Sequence, residues 1–223
     1  MKRTPEPAEL MDAADQARAY AEADFSEANQ LFIELFEKLW DGPFEGRALD
    51  LGCGPAAIPI DLARRHPQAH ILAVDGAPAM LDLARQAVNQ ANLSGRVALR
   101  CAHLPDPDLP GGFDAILSNS LLHHLTDPLD LWRTLRRVGR PGAAVVVMDL
   151  CRPADPEAVE RLVAEYAADA PPVLQRDFRA SLHAAWRPDE VAEQLTAAGL
   201  TELEVARVSN RHLAVTGRLQ DAP

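Results

Sequence analysis

Lysine is almost missing from this chain: 20 arginines and two lysines supply its 22 basic residues, a bias we read as genome composition rather than mechanism. Basic segments are missing as well. Acids outnumber bases 11 to 4 over residues 1–46, equal them at 10 each over 47–150 and exceed them 12 to 8 over 151–223, for a net charge of −11. A polyanion is bound by displacing its counterions with a basic face, so a nucleic-acid partner is not expected. Cysteine is scarce and odd in number, three in 223 residues, which argues against a disulfide framework and for a reduced, cytoplasmic setting. No apolar run approaches the ~20 residues of a membrane span. The longest, AAVVVM at 143–148, suits a buried strand, and the start MKRTPEPAEL has no apolar stretch of a secretory signal.

What is present is an alternation. The first forty residues read as two helices, the second at 26–41 with an apolar stripe of Leu31, Leu35, Phe36 and Leu39. Strands then follow at 47–51, 70–75, 96–101, 113–118 and 143–150, with helices at 57–65, 77–91 and 128–138 between them. Short apolar strands alternating with helices indicate βαβ units and a parallel sheet covered on both faces. After Leu150 the pattern changes: 152–186 is largely helical, 188–198 is a further helix, and 202–208 with 212–217 reads as a hairpin turning at Ser209–Asn210.

The first strand runs into ALDLGCGPA, residues 48–56. In an open α/β sheet such a turn, beyond the carboxyl end of a strand, is where ligands bind. Gly52, Gly54 and Ala57 satisfy G-x-G-x-x-[GA], and Asp75 ends the second strand at the distance of a dinucleotide fingerprint, so an NAD(P)-binding oxidoreductase is one reading. Asp50 argues against it. It stands beside the first glycine, where a pyrophosphate would sit, and two like charges ~4 Å apart repel by ~4 kcal/mol at an effective dielectric of 20. An acid there suits a ligand with an amino group or a sulfonium.

DLGCGP at 50–55 resembles the first motif of class I S-adenosylmethionine-dependent methyltransferases. The likeness extends through AVDGAPAMLDLAR (73–85), FDAILSNSLLHHLTDP (113–128) and RPGAAVVVMDL (140–150), and covers about 45–217. It implies an α/β fold with a seven-stranded Rossmann-like sheet of order 3-2-1-4-5-7-6, the last strand antiparallel. N-terminal helices would form an arm or lid over 1–45, and a helical cap of about 152–186 would be inserted into a methyltransferase domain spanning 46–223. The implied cofactor is S-adenosyl-L-methionine. By the same resemblance Asp50, Gly52, Cys53 and Gly54 would meet its methionine end, and Asp75 its ribose hydroxyls. Gly76, Met80, Ala102 and His103 would lie about the adenine, and Asn119 near the transferable methyl. Where relatives often place an acid after strand three, this chain has Cys101-Ala102-His103.

Other residues invite sharper roles. Cys53, Cys101 and Cys151 each end a parallel strand, but in the implied order the outer pair would lie about 19 Å apart, at ~4.8 Å per strand, so no shared thiolate site and no metal are expected. His123 and His124 follow the fourth strand and, with Asn119, are the catalytic candidates, since histidine titrates near neutrality. Tyr20, Asp149, Arg152, Arg179 and His183 are candidates for contact with a small-molecule acceptor. The function expected is in-line methyl transfer, with a non-catalytic cofactor-binding module as an alternative beside the oxidoreductase.

Overall fold

A computed structural model of the chain describes residues 1–6 and 13–220. Two helices come first, α1 (Ala14–Glu22) and α2 (Ser26–Leu39). There follow β1 (Arg47–Leu51), α3 (Ala57–Arg65), β2 (His70–Asp75), α4 (Pro78–Gln90), β3 (Val97–Cys101), β4 (Phe113–Asn119), α5 (Leu129–Val138) and β5 (Gly139–Leu150). The remainder is α6 (Pro156–Tyr166), α7 (Pro172–Ala184), α8 (Pro188–Ala197), β6 (Glu204–Arg207) and β7 (His212–Arg218). All strands join one sheet of order β3-β2-β1-β4-β5-β7-β6, in which β7 alone runs antiparallel to its neighbours.

Period-two alternation along the strands divides the core into two layers. Ala48, Ala73, Ala115, Leu117, Val146 and Met148 face α2, α3 and α4. Leu49, Leu51, Val74, Ile116, Val145 and Val147 face α5 and α8, where Trp132 is fully buried and donates through Nε1 to Gln194 Oε1 at 2.9 Å. Because both faces are covered, the central strands are hydrophobic throughout, as parallel strands must be.

Three expectations are adjusted. The fifth strand begins at Gly139 rather than 143, because Gly139 pairs with Phe113 across a register shift before the regular ladder starts at Ala115–Ala144. The long helical stretch after β5 is two helices, α6 ending at Tyr166 and α7 beginning at Pro172, whose fixed φ and missing N–H suit a first helical position. The N-terminal residues do not all belong to an arm of helices. Residues 1–6 form a strap against the far side of the cap, with the Met1 ammonium on Ala154 O at 2.5 Å, Thr4 N on His183 O at 3.0 Å and the Arg3 guanidinium 4.0 Å from the Trp186 ring centroid. No described helix is long and apolar enough to cross a membrane.

Candidate functional site

The carboxyl ends of β1, β2 and β4 open into a cavity of about 920 Å³. Its floor is Leu51, Gly52, Gly54, Val74 and Asn119; α1 and the following loop contribute Tyr20 and Phe25, and the cap contributes Tyr166 and Phe178. Tyr20 and Phe25 pack with centroids 4.6 Å apart, so the arm closes the cavity with aromatic surface. Burial, reinforced by Asp75 and Asp149, pushes the Tyr20 hydroxyl up to about 12, which keeps it a neutral donor.

Backbone geometry explains the floor. Gly52 and Cys53 both donate to Val74 O, at 2.8 and 3.0 Å, which folds the chain sharply off β1 and across β2. Gly52 takes φ +75, and a Cβ there would meet Leu121 Cβ at 2.9 Å, so only glycine leaves this approach open. The turn ends at Ala56, itself left-handed with φ 66, immediately before α3. Asp75 rivets the turn from the neighbouring strand: Oδ2 accepts from Gly54 N and Oδ1 from Ala77 N, each at 2.8 Å. A carboxylate oxygen can accept more than once, so both retain capacity toward a ligand.

Asp50 lies beneath this turn, 2% exposed, with Oδ1 lacking any hydrogen-bond partner. Burial, and secondarily the charge of Asp75, pushes its carboxyl up to about 8. A buried carboxylate oxygen without a donor is costly, and a cationic ligand group would supply the donor. Asn119 Oδ1, also enclosed and unpartnered, marks a second such position at the end of β4. These orphaned acceptors and the glycine cradle fit a ligand carrying an ammonium group and hydroxyls.

The far corner is built from a 3-10 turn, Leu122–His124, seated against β5. Asp149 binds His123 twice, through a very short contact to the ring Nδ1 and by accepting from the His123 amide at 3.2 Å. Burial alone would lower the His123 imidazole, but the Asp149 charge and hydrogen bond outweigh it and raise it; for Asp149 burial would raise the carboxyl, and His123 outweighs that and lowers it. His124 stacks on His123 with centroids 4.0 Å apart, and its Nδ1 lies 2.6 Å from Glu6 Oε2.

The cavity thus brings together Tyr20, Gly52, Gly54, Asp75, Gly76, Met80, Ala102, His103, Asn119, His123 and His124 among the residues singled out in the sequence. Asp50 and Asp149 stand behind its wall, each buried. Cys53 is also behind it, a small buried group whose thiol is pushed up mainly by burial. Three candidates are corrected. Arg152 is buried under the cap and donates to Ala185 O at 3.2 Å and Glu190 Oε1 at 2.5 Å, so it ties β5 to α7 and α8. Arg179 points away on α7 in a two-pronged pair with Glu160 at 2.6 and 2.8 Å, and His183, outside the lining, holds the strap through its carbonyl.

Arg211 and His212 are lining residues the sequence did not reveal, and Glu6, which the sequence also did not reveal, touches the lining residues His124 and Ser181. Arg211, in the hairpin turn before β7, lies 3.4 Å from the Tyr166 ring centroid and 3.0 Å from Glu27, linking cap and arm across the cavity. His212 is pushed down to about 4 by burial and by Arg211, so it is a neutral lining group. The hairpin itself was legible, but nothing along the chain connects residues 27, 166 and 211.

Residues 49–147 match the family model for a methyltransferase domain. The chain is 30% identical over 165 residues to a ubiquinone biosynthesis O-methyltransferase of Xanthomonas campestris, covering 73% of this chain and 64% of that protein. It is 30% identical over 145 residues to an uncharacterized methyltransferase of Schizosaccharomyces pombe, covering 61% and 49%. The chain therefore spans about half to under two thirds of these relatives. Among solved structures, a SAM-dependent methyltransferase from Aquifex aeolicus superposes with a TM-score of 0.67 at 19% identity, covering 91% of this chain and 97% of the other. The plantazolicin methyltransferase with bound S-adenosylhomocysteine gives 0.74 at 14%, covering 95% and 93%. At those identities the likeness is one of fold.

Proposed function

We propose that the chain is a class I S-adenosylmethionine-dependent methyltransferase, as the match to a methyltransferase-domain model and to its relatives supports, and that it transfers the methyl group of S-adenosylmethionine to a small-molecule acceptor held in the 920 Å³ cavity. The observation that carries this reading is Asp50, a buried carboxylate with an unpartnered oxygen beneath the first glycine turn. The ammonium of the methionine moiety, docked on the glycine turn above Asp50, supplies the positive charge this buried carboxyl lacks. Gly52 and Gly54 admit the cofactor backbone to backbone, Asp75 receives the ribose hydroxyls, and Met80, Ala102 and His103 flank the adenine.

The acceptor lies at the opposite end, between the aromatic groups of arm and cap. Its nucleophilic atom faces Asn119 and His123, whose ring Asp149 holds in one orientation. The donor leaves as a neutral thioether, so the protein's contribution is alignment and exclusion of water. Glu22, Asp24, Glu27, Glu165, Asp169 and Asp177 all border the cavity, against one arginine, which disfavours a polyanionic acceptor. A cytoplasmic site of action accords with the three free thiols.

Calorimetric titration with S-adenosylmethionine, S-adenosylhomocysteine and NAD tests the reading. We expect both nucleosides to bind and Asp75→Ala to weaken them at least tenfold, a charge-assisted acceptor being worth about 1.5–3 kcal/mol. Binding of NAD without either nucleoside overturns it. Mass-spectrometric detection of an acceptor gaining one methyl group, lost in His123→Asn while nucleoside affinity is kept, tests the acceptor end.

A further inference from the structure

We propose that Glu6, His123 and His124 form a site for one divalent transition-metal ion of the zinc class, supported from behind by Asp149. Their ligand atoms lie within 4.8 Å of one another, and no sequence motif links residue 6 to residues 123 and 124. The set of two imidazoles and one carboxylate is the donor chemistry of zinc rather than of magnesium or calcium, which prefer oxygen alone.

Two details ready these donor atoms to receive a cation. First, His124 Nδ1 is enclosed and pairs with Glu6 Oε2 at 2.6 Å, so an imidazole nitrogen and a carboxylate oxygen that could both bind a cation already stand side by side. An ion would replace this ion pair, spreading the two atoms to about 3.4 Å as each takes a bond of about 2.1 Å in a tetrahedral site. Second, Asp149 engages His123 at Nδ1, which leaves Nε2 as the ring nitrogen with no partner among the described residues. A carboxylate behind the far nitrogen is how proteins orient and strengthen a metal-bound imidazole.

The chain holds the three ligands firmly. The other Glu6 oxygen accepts from Ser181 Oγ at 2.6 Å. Arg3, beside it on the strap, donates to the carbonyls of Ala184 at 2.6 Å and His123 at 3.0 Å, so the strap and the 3-10 turn are tied together. His123, His124 and Ser181 border the cavity, which leaves the ion's fourth position open toward the acceptor end. The site stands on this geometry and does not depend on the methyl-transfer reading.

The test uses the full chain, free of any affinity tag and stripped of metal, carrying Cys101→Ser to remove its exposed thiol. Titration with zinc sulfate should show one equivalent taken up. Affinity should fall at least tenfold in Glu6→Gln and in His124→Gln, and 10–100-fold in Asp149→Asn. Glu6 lies on the strap outside the core, so Glu6→Gln keeps the fold. Replacing zinc by cobalt(II) should give the visible absorption of a four-coordinate nitrogen–oxygen site. No uptake at stoichiometric zinc, or uptake undiminished in both Glu6→Gln and His124→Gln, overturns the proposal. S-adenosylhomocysteine binding in the same samples separates the two readings: nucleoside binding without zinc removes the metal site alone, and zinc binding without nucleoside removes the cofactor reading alone.

Discussion

Asp50 concentrates the conflict between stability and function in one carboxyl group. Its ordinary value is 3.8 and burial raises it to about 8. Between those values the unfolded chain has lost the proton and the folded chain keeps it. The folded form therefore binds more protons in this window, and this group's contribution to stability declines as pH rises from about 4 to about 8. Each unit is worth up to 1.36 kcal/mol, so removing the charge matters. Asp50→Asn should raise the melting temperature relative to the parent by a margin that widens from pH 5 to pH 8, while weakening cofactor binding. In the parent, an ammonium docking on Asp50 should release a proton near pH 7, visible as a buffer-dependent binding enthalpy. A pH-independent difference in melting temperature would remove Asp50 as the source. The two glycines flanking Cys53 are legible in the sequence as a turn. That Asp75 closes the turn by accepting from Gly54 and Ala77 is not, because it depends on β2 lying beside β1.

At the scale of elements, three pieces remote in sequence meet over the cavity: the α1–α2 arm, the α6–α7 cap and the turn before β7. Arg211 joins them, stacked on Tyr166 and paired with Glu27. Glu27 is mostly exposed, so the pair contributes little to global stability, about 0–1 kcal/mol. We predict that it holds the roof closed. Arg211→Ala should leave the melting temperature within a few degrees of the parent while speeding release of S-adenosylhomocysteine in stopped-flow measurements. Unchanged release would assign closure to the aromatic contacts alone. The helical regions were legible from apolar spacing, but the start of α6 was not read: Asp155 caps it by accepting from Ala158 N at 2.7 Å ahead of Pro156. Arg152 illustrates the opposite case. Its place just after β5 made it a candidate for acceptor contact, whereas the packing of α8 turns it inward to Glu190.

For the whole molecule we predict that the rim closes over a rigid sheet when a ligand binds. Both core layers rest on fully buried strand residues, and strand ends form the cavity floor, while its roof comes from the arm, the cap and a hairpin turn. A ligand that binds only the folded form at 100 times its Kd adds about 2.7 kcal/mol. Saturating S-adenosylhomocysteine should therefore raise the melting temperature by several degrees. The gain in amide-exchange protection should concentrate in 14–29, 52–54 and 166–178 rather than in β1, β4 and β5. Uniform protection, or none, would contradict a closing rim.

By itself the sequence determined the sheet, its order through resemblance, and the glycine turn at the cavity floor, because hydrophobic periodicity, glycine geometry and an acid at a strand end act over a few neighbouring residues. Tertiary structure alone decided which side chains share a cavity. The strap that carries Glu6 to His124, the Asp149 carboxylate behind His123, and the bridge from Arg211 to Glu27 each join residues 26 to 184 positions apart. Such contacts depend on how whole layers pack, and local chemistry along the chain carries no record of them.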